Sequence, residues 1–319
     1  MLIRPLDIAC DFPALAALLT VRDPEPPTPE LLQEWEGNAP AGLVRQRLVA
    51  FDEMGGADSA AMVGFCDAAS WPWESPHQFW ISTVVAPDHW RQGLGTQLTE
   101  AALAFAQEQG ATRLAAEVRD NAVEGLRLAE RYGFRRDRHI FESRLRLADF
   151  DDQRFSGAVA RVEAEGIRFL TLADLGDTDE ARRNLYDLNA TLVRDIPGHD
   201  GDFMPFEQFQ KTVCSASWYR PDGQILAAID DTWVGMAAVG YFRTTNSMYN
   251  MFTGVDPAWR GRGIALALKL LTIACARRYG ADSISTNNDS ENAPMLAVNR
   301  TLGYQPEPGY FRVIREPAF

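Results

Sequence analysis

The feature that most constrains the fold is a repeat. The stretch Val85-Ala-Pro-Asp-His-Trp-Arg-Gln-Gly-Leu-Gly, ending at Gly95, can be laid on Val255 to Ala265 at a constant offset of 170 residues. The same offset carries Gly110-Ala111 onto Gly280-Ala281 and Gly133-Phe134 onto Gly303-Tyr304. It also superposes the apolar stripe Leu94, Leu98, Ala101, Phe105 on Ile264, Leu268, Leu271, Cys275. Both stripes step by four, three and four, the spacing of one helix face. Turn glycines alone do not hold a register over three kinds of landmark, so the chain reads as an internal duplication. Its 319 residues are enough for two domains of ordinary size, each with its own core. The expected division is 1–150, a helical connector at 151–166, and 167–319.

Each half reads as strand, two helices, three strands, helix, strand, helix and strand, a mixed α/β unit. In the first half, residues 46–51 and 60–68 are strands joined by a turn at 53–58, and 78–85 is the strand that runs into the repeated turn. In the second, 225–229 and 232–242 form a hairpin over Asp230-Asp231, and 248–255 is the strand that leads to the equivalent turn.

Hydrophobic content of 46 % with 24 % charged residues describes a globular chain rather than a disordered one. A formal charge of −13 and a pI near 4.8 argue against a nucleic-acid binder. The four cysteines, Cys10, Cys66, Cys214 and Cys275, lack metal-ligand spacing, and the four histidines are scattered, so no metal is expected. No apolar run reaches the ~18 residues of a membrane span. Asp7, Asp11 and Pro13 interrupt the N-terminal run, which therefore does not read as a signal peptide. The expectation is a cytoplasmic protein with no membrane or nucleic-acid partner.

Between Val255 and the helix that starts near Ile264 lie Arg260, Gly261, Arg262 and Gly263. A glycine-rich turn at a helix start exposes unpaired N–H groups at the positive end of the helix dipole, which is an anion site with phosphate as the usual occupant. The third glycine of a dinucleotide-binding fingerprint is missing from both copies. The loop 195–205 carries Asp195, His199, Asp200 and Asp202, either a wall for a cationic ligand or a plain acidic loop.

On these residues both halves resemble the GNAT superfamily of N-acetyltransferases. Its signature is Arg or Gln, two residues, Gly, one residue, then Gly or Ala, between a strand and a long helix. Arg260, Gly263 and Ala265 meet it fully; Trp90, Gly93 and Gly95 meet it in part. A second landmark, an Asn about eleven residues before Gly-Phe or Gly-Tyr, is found as Asn292 to Gly303-Tyr304 and, one residue longer, as Asn121 to Gly133-Phe134. The layout of two such units in one chain is similar to that of mycothiol synthase. The resemblance implies two tandem units, each a mixed, mostly antiparallel sheet flanked by helices.

It also implies acetyl-coenzyme A as co-substrate. The diphosphate is expected on Arg260, Gly261, Arg262, Gly263, Ile264 and Ala265, and the pantetheine arm along Thr253, Gly254 and Val255. The first-half equivalents are Val85, Arg91, Gln92, Gly93, Leu94, Gly95 and Thr96, with Trp90 removing one polar ligand. The implied chemistry is attack of an amine on the thioester, which needs a base, an oxyanion donor and an acid for the thiolate. Where family members often place a tyrosine acid, four residues before Gly-Phe, this chain has Ala129 and Asn299. Asn299 can hydrogen-bond the sulfur without protonating it. Glu291 is a candidate base, Tyr249 a substitute acid, and Asn292 a ligand of the cofactor arm, a helix cap, or both. Two readings result. One is an N-acetyltransferase whose C-terminal half acts on a small primary amine, as a monomer with pseudo-dimeric halves or a homodimer. The other is a non-catalytic acyl-coenzyme A or small-molecule binder of the same fold.

Overall fold

A computed structural model describes residues 1–23, 26–52, 61–198 and 201–316. It forms two compact units, Met1–His139 with Asp200–Asp202 and Tyr310–Phe319, and Ile140–His199 with Phe203–Gly309.

The first unit contains β1 (Leu2–Pro5), α1 (Phe12–Leu19), α2 (Pro29–Gly37), β2 (Val44–Asp52), β3 (Ala61–Ser70), β4 (Gln78–Val85), α3 (Leu94–Glu108), β5 (Arg113–Arg119) and α4 (Val123–Arg131). The turn expected at 53–58 lies outside the described residues. β6 (Arg135–Arg146) follows. The second unit contains α5 (Ala158–Glu163), β7 (Arg168–Thr171), α6 (Asp179–Leu192), α7 (Phe206–Phe209), β8 (Gln224–Ile229), β9 (Thr232–Phe242), β10 (Ser247–Val255), α8 (Ile264–Arg278), β11 (Ser283–Asp289), α9 (Ala293–Leu302) and β12 (Gln305–Pro306). Last comes β13 (Tyr310–Arg315).

Sheet order in the first unit is β1-β2-β3-β4-β5-β13, and in the second β6-β11-β10-β9-β8-β7 with β12 on β6. Each is antiparallel except at one place, β4 beside β5 and β10 beside β11, where the strands run parallel. Both sheets are covered on two faces, as alternation along the strands requires. In the first unit Leu94, Leu98 and Ala102 of α3 pack on Ala50, Val63 and Ile81, while Phe12 and Leu15 of α1 pack on Val49, Phe65 and Val84. In the second, Ile264, Ala267 and Leu268 of α8 pack on Ile225, Val234 and Ala237, and Leu185 and Leu192 of α6 on Leu226 and Met236. Gly64 and Gly235 let the two long helices sit close: a Cβ on Gly64 would lie 2.8 Å from Leu98, and one on Gly235 3.4 Å from Leu268.

Two expectations meet a different arrangement. With continuous halves at 1–150 and 167–319, each closing strand would pair inside its own half. Instead residues 140–146 of β6 pair with β11, and β13 pairs with β5, Tyr310 opposite Arg119 through Arg315 opposite Leu114. Periodicity marks a strand but not its neighbour, so an exchange between two copies of one plan leaves no trace in the pattern. The connector at 151–166 is also not one helix. Its α-helical part is Ala158–Glu163, preceded by a 3-10 turn at Asp152–Phe155 and broken by Gly157 at φ +73°. It belongs to the second unit, where Val162 joins the core.

Candidate active site

The site is built where the parallel strands part. β10 and β11 pair through only three positions, Ser247–Ser283, Met248–Ile284 and Tyr249–Ser285, and then separate although each continues for several residues. Backbone groups that face across such a gap lose ladder partners and are available to a ligand. β4 and β5 do the same after Trp80–Ala115.

The two gaps differ in one residue. β10 pairs Asn250 with Val239 and then Phe252 with Ala238, so Met251 is an extra residue, a β-bulge, whereas β4 pairs with β3 without interruption. A bulge leaves the inserted residue's N–H outside the ladder and bends the strand. Asn250 pins it, its Nδ2 donating to the carbonyls of Ala238 at 3.1 Å and Phe252 at 2.7 Å, while Thr253 Oγ1 donates to its Oδ1 at 3.2 Å. The Thr286 hydroxyl donates to the Asn250 carbonyl at 3.0 Å, spanning the gap just beyond the last ladder pair. From there a buried line of amides continues, Asn288 Nδ2 to Ser143 Oγ at 2.8 Å and Asn299 Nδ2 to Asn288 Oδ1 at 2.5 Å. Asn299, 2 % exposed, thus joins from α9 the amide line that runs along β11, and its Oδ1 is buried with no partner.

The glycine turn at the end of β10 has the expected form. Gly261 and Gly263 both sit at φ +79°. A Cβ on Gly261 would meet nothing within 4 Å and one on Gly263 only Val162 at 3.5 Å, so the glycines serve backbone conformation and not space. No side chain caps α8, which leaves its first amides to a ligand or to water. Arg260 Nε donates to the Val255 carbonyl at 2.9 Å, its Nη2 pairs with Asp195, and Arg262 lies 4.7 Å over the Trp259 ring. In the first unit the turn is retained: Arg91 takes φ +62° where Gly261 stands, and Gly93 takes φ +88°. Trp90 reproduces half of what Arg260 does, its Nε1 donating to the Val85 carbonyl at 2.7 Å, but it brings no charge. Arg91 is paired with Glu124 at 2.8 Å, and Gln92 donates to Asp88 O at 2.9 Å. Val85, Leu94, Gly95 and Thr96 flank that turn at the end of β4 and in the first turn of α3.

The gap of the first unit is tied shut by its own chain. Arg22, after α1, donates to Ser82 on β4 at 2.9 Å. Arg119 on β5 donates to the Arg22 carbonyl at 2.9 Å and to Asp23 at 2.7 Å. No bond of this kind from α6 crosses the second gap among the hydrogen bonds of the described residues; there Asp195 reaches Arg260.

The remaining expected residues spread out. Thr253, Gly254 and Val255 line the end of β10, with Gly254 held close to the Phe252 ring. Asn292 caps α9 through Met295 N at 3.3 Å. Tyr249, half-buried, is the last β10 residue paired with β11, and Glu291 is exposed ahead of α9. Asp202 bonds Trp73 O in the first unit through its N–H, while His199 and Asp200 lie outside the described residues. Lys269 was missed altogether: at the second turn of α8 it is 1 % exposed, and burial alone drives its ammonium down to about 7. One sequence signal could have found it, a single lysine inside an apolar helix of a chain with 29 arginines and two lysines. Among the described residues no group of three His, Cys, Asp or Glu could hold a metal, and no helix is long and apolar enough to cross a membrane.

A family model described as the acetyltransferase (GNAT) family matches residues 12–134 and again 192–304. The chain is 27 % identical over 263 residues to a mycothiol acetyltransferase of Acidothermus cellulolyticus, covering 78 % of this chain and 74 % of that protein. It is 28 % identical over 232 residues to a mycothiol acetyltransferase of Saccharomonospora viridis, covering 70 % and 69 %. Among solved structures, a tandem GNAT protein from the clavulanic acid biosynthesis pathway superposes with a TM-score of 0.75 at 20 % identity, covering 100 % of this chain and 99 % of that one. A GCN5-related N-acetyltransferase from Sphaerobacter thermophilus does so with 0.71 at 21 %, covering 100 % and 96 %.

Proposed function

Since the chain belongs to the acetyltransferase (GNAT) family, and is an acyltransferase on that ground, we propose that it moves an acetyl group from acetyl-coenzyme A to a small primary amine at the β10–β11 gap of the second unit. The observation that carries the choice of unit is the bulge at Met251, which that gap has and the β4–β5 gap lacks. Relatives named mycothiol acetyltransferases support a small-molecule acceptor.

The residues present fit the co-substrate. The uncapped start of α8 and the left-handed Gly261 and Gly263 would hold the diphosphate, with Arg260 and Arg262 adding charge-assisted bonds. Thr253, Gly254 and Val255 offer strand backbone to the amide-bearing arm. When bound, acetyl-coenzyme A supplies an activated acyl carbon with a thiolate leaving group. The chain's own part is to orient and to stabilise charge. The Met251 N–H, outside the ladder, would donate to the oxygen that turns negative as the amine adds. Asn299, held by Asn288, would steady the sulfur through the second hydrogen of its Nδ2 without giving up a proton. Glu291 is the proposed base, at the exposed side where an acceptor would arrive, and Tyr249 closes the inner end.

The first unit is better read as a binding partner than as a second centre, because Arg22 and Arg119 hold a loop across its gap. Titrating the intact protein with acetyl-coenzyme A, and then a double variant Arg260→Ala, Gly263→Glu, is expected to show at least one bound equivalent lost. Unchanged stoichiometry would move the site to the first unit. A Trp90→Arg variant keeps the bond to Val85 O and adds a cation. It is expected to tighten acetyl-coenzyme A binding in the first unit by about fivefold, roughly 1 kcal/mol; no change in a calorimetric titration rules out a diphosphate at that turn.

A further inference from the structure

The chain carries 29 arginines and two lysines, Lys211 and Lys269. One of those lysines is a fully buried cation. An arginine keeps its charge wherever it is placed, whereas a buried lysine can release and regain a proton near neutrality. The repeat shows what is unusual about the position. Its counterpart Thr99 exchanges a 3.1 Å hydroxyl contact with Thr83, the counterpart of Thr253 on the strand that borders the gap.

Two further substitutions accompany it. Phe134 of the first unit is matched by Tyr304 and Ala129 by Asn299. The Lys269 ammonium lies 4.9 Å from the centre of the Tyr304 ring, and Tyr304 is 4 % exposed with its hydroxyl buried and unpartnered, as is Asn299 Oδ1. Tyr304 N donates to Asn299 O at 3.0 Å, so the two side chains are carried by one backbone link. A core built only for packing would not leave two buried polar atoms unsatisfied beside a buried amine. All three polar groups occur in the unit that has the bulge.

We propose that Lys269 is the proton store of the second unit's site, a positioning residue that delivers a proton to the departing sulfur by way of the Tyr304 hydroxyl. This rests on the acetyltransferase reading of that site. The acceptor nitrogen forms a bond to the acyl carbon, the carbon–sulfur bond breaks with its electron pair left on sulfur, and the proton held on Lys269 Nζ ends on sulfur. Lys269 is left neutral; the proton lost by the acceptor nitrogen passes to Glu291 and from it to solvent, and an equal one returns to Lys269. Asn299 has no proton to give, so the pair divides the work, the amide holding the sulfur and the amine supplying the proton. Little else can set the charge of Lys269. β8, β9 and β10, packed on α8, carry no charged side chain; the turn Pro221–Gly223 brings Asp222, which is engaged by Tyr279 and Arg278 at the far end of α8, β11 has only Asp289 at its far end, and Arg161 and Glu163 of α5 are exposed. Tyr241 and Tyr249 are the other titratable groups on those strands, and Tyr304 is the one whose ring faces the amine.

Having two lysines makes the test direct. Full-length protein labelled with carbon-13 and nitrogen-15 in lysine shows two side-chain signals, and Lys269→Met assigns them. The expected result is that Lys269 titrates near neutral pH. Coenzyme A with its free thiol moves that midpoint up by a unit or more, desulfo-coenzyme A moves it much less, and Lys211 responds to neither. In Tyr304→Phe the difference between the two ligands shrinks while Lys269 still titrates. A Lys269 midpoint above pH 9, or equal responses to both ligands, overturns the proton role and leaves the acetyltransferase reading standing. Failure of both ligands to bind removes that reading and this proposal together.

Discussion

Replacing Lys269 by methionine is expected to stabilise the protein, and to do so most strongly below neutral pH. In the unfolded chain the ammonium keeps its ordinary value of 10.5, whereas in the folded one burial lowers it to about 7. Below pH 7 both states hold the proton and the fold carries a buried charge at full cost. As pH rises from 7 toward 10.5 the folded state sheds the proton first and the cost fades, vanishing once both states are neutral. A shift of that size corresponds to about 4–5 kcal/mol, on the order of 10 °C in unfolding midpoint for a domain this large. Methionine keeps the length and flexibility of the side chain, so little packing is lost. Denaturant unfolding of both proteins at pH 6.5 and pH 9.5 checks it. A gain that is the same at both values, or a loss at the lower one, would show that the amine is not buried as a charge. Such a cost retained in a chain that otherwise uses arginine for its cations is what a functional group, rather than a packing choice, leads one to expect.

Deleting Met251 is the second change with a large expected effect. It restores to β10 the uninterrupted pairing that β4 already has, so the unbulged strand is compatible with this fold. What disappears is the N–H outside the ladder and the bend that Asn250 holds. Loss of one oxyanion donor lowers turnover by about 10² to 10³, some 3–4 kcal/mol of transition-state stabilisation. Acetyl-coenzyme A binding should persist, because the α8 turn is untouched. Thiol release over a panel of small amines, measured beside cofactor affinity, separates the two. Turnover near that of the parent chain with the residue removed would mean that the bulge is not the catalytic difference between the units.

The buried thiols lie outside this chemistry. Burial pushes Cys66, Cys214 and Cys275 each up to about 11, so they stay protonated and inert at neutral pH.

Much of this was legible without coordinates. The duplication, the element order and the glycine turns follow from spacings that local physics reads directly, and the mostly antiparallel units from the family resemblance those spacings carry. A left-handed residue favours glycine, a helix face repeats every three or four residues, and a proline ends a strand. Gly261 and Gly263 at φ +79° and the buried Ile264 and Leu268 are the outcome. Other readings stop at residue type. In sequence Trp90 reads as the loss of one polar ligand, yet it keeps the hydrogen bond to the strand that Arg260 makes, which residue type alone does not disclose.

What tertiary structure alone decided depends on neighbours far away in the chain. The exchange of closing strands depends on which of two like partners a strand meets. The bulge is a shift of one residue against β9, and at 170 residues' separation the repeat looks continuous through it. Arg22 and Arg119 close the first gap only because a loop and two strands converge there. Lys269 is the sharpest case: in sequence it is one more charge on a helix, able to reach solvent on four methylenes, and only tertiary packing, with the Tyr304 ring against it, buries the amine. Local spacing specifies backbone conformation and which face is apolar; burial, and with it proton affinity, is set by what covers that face.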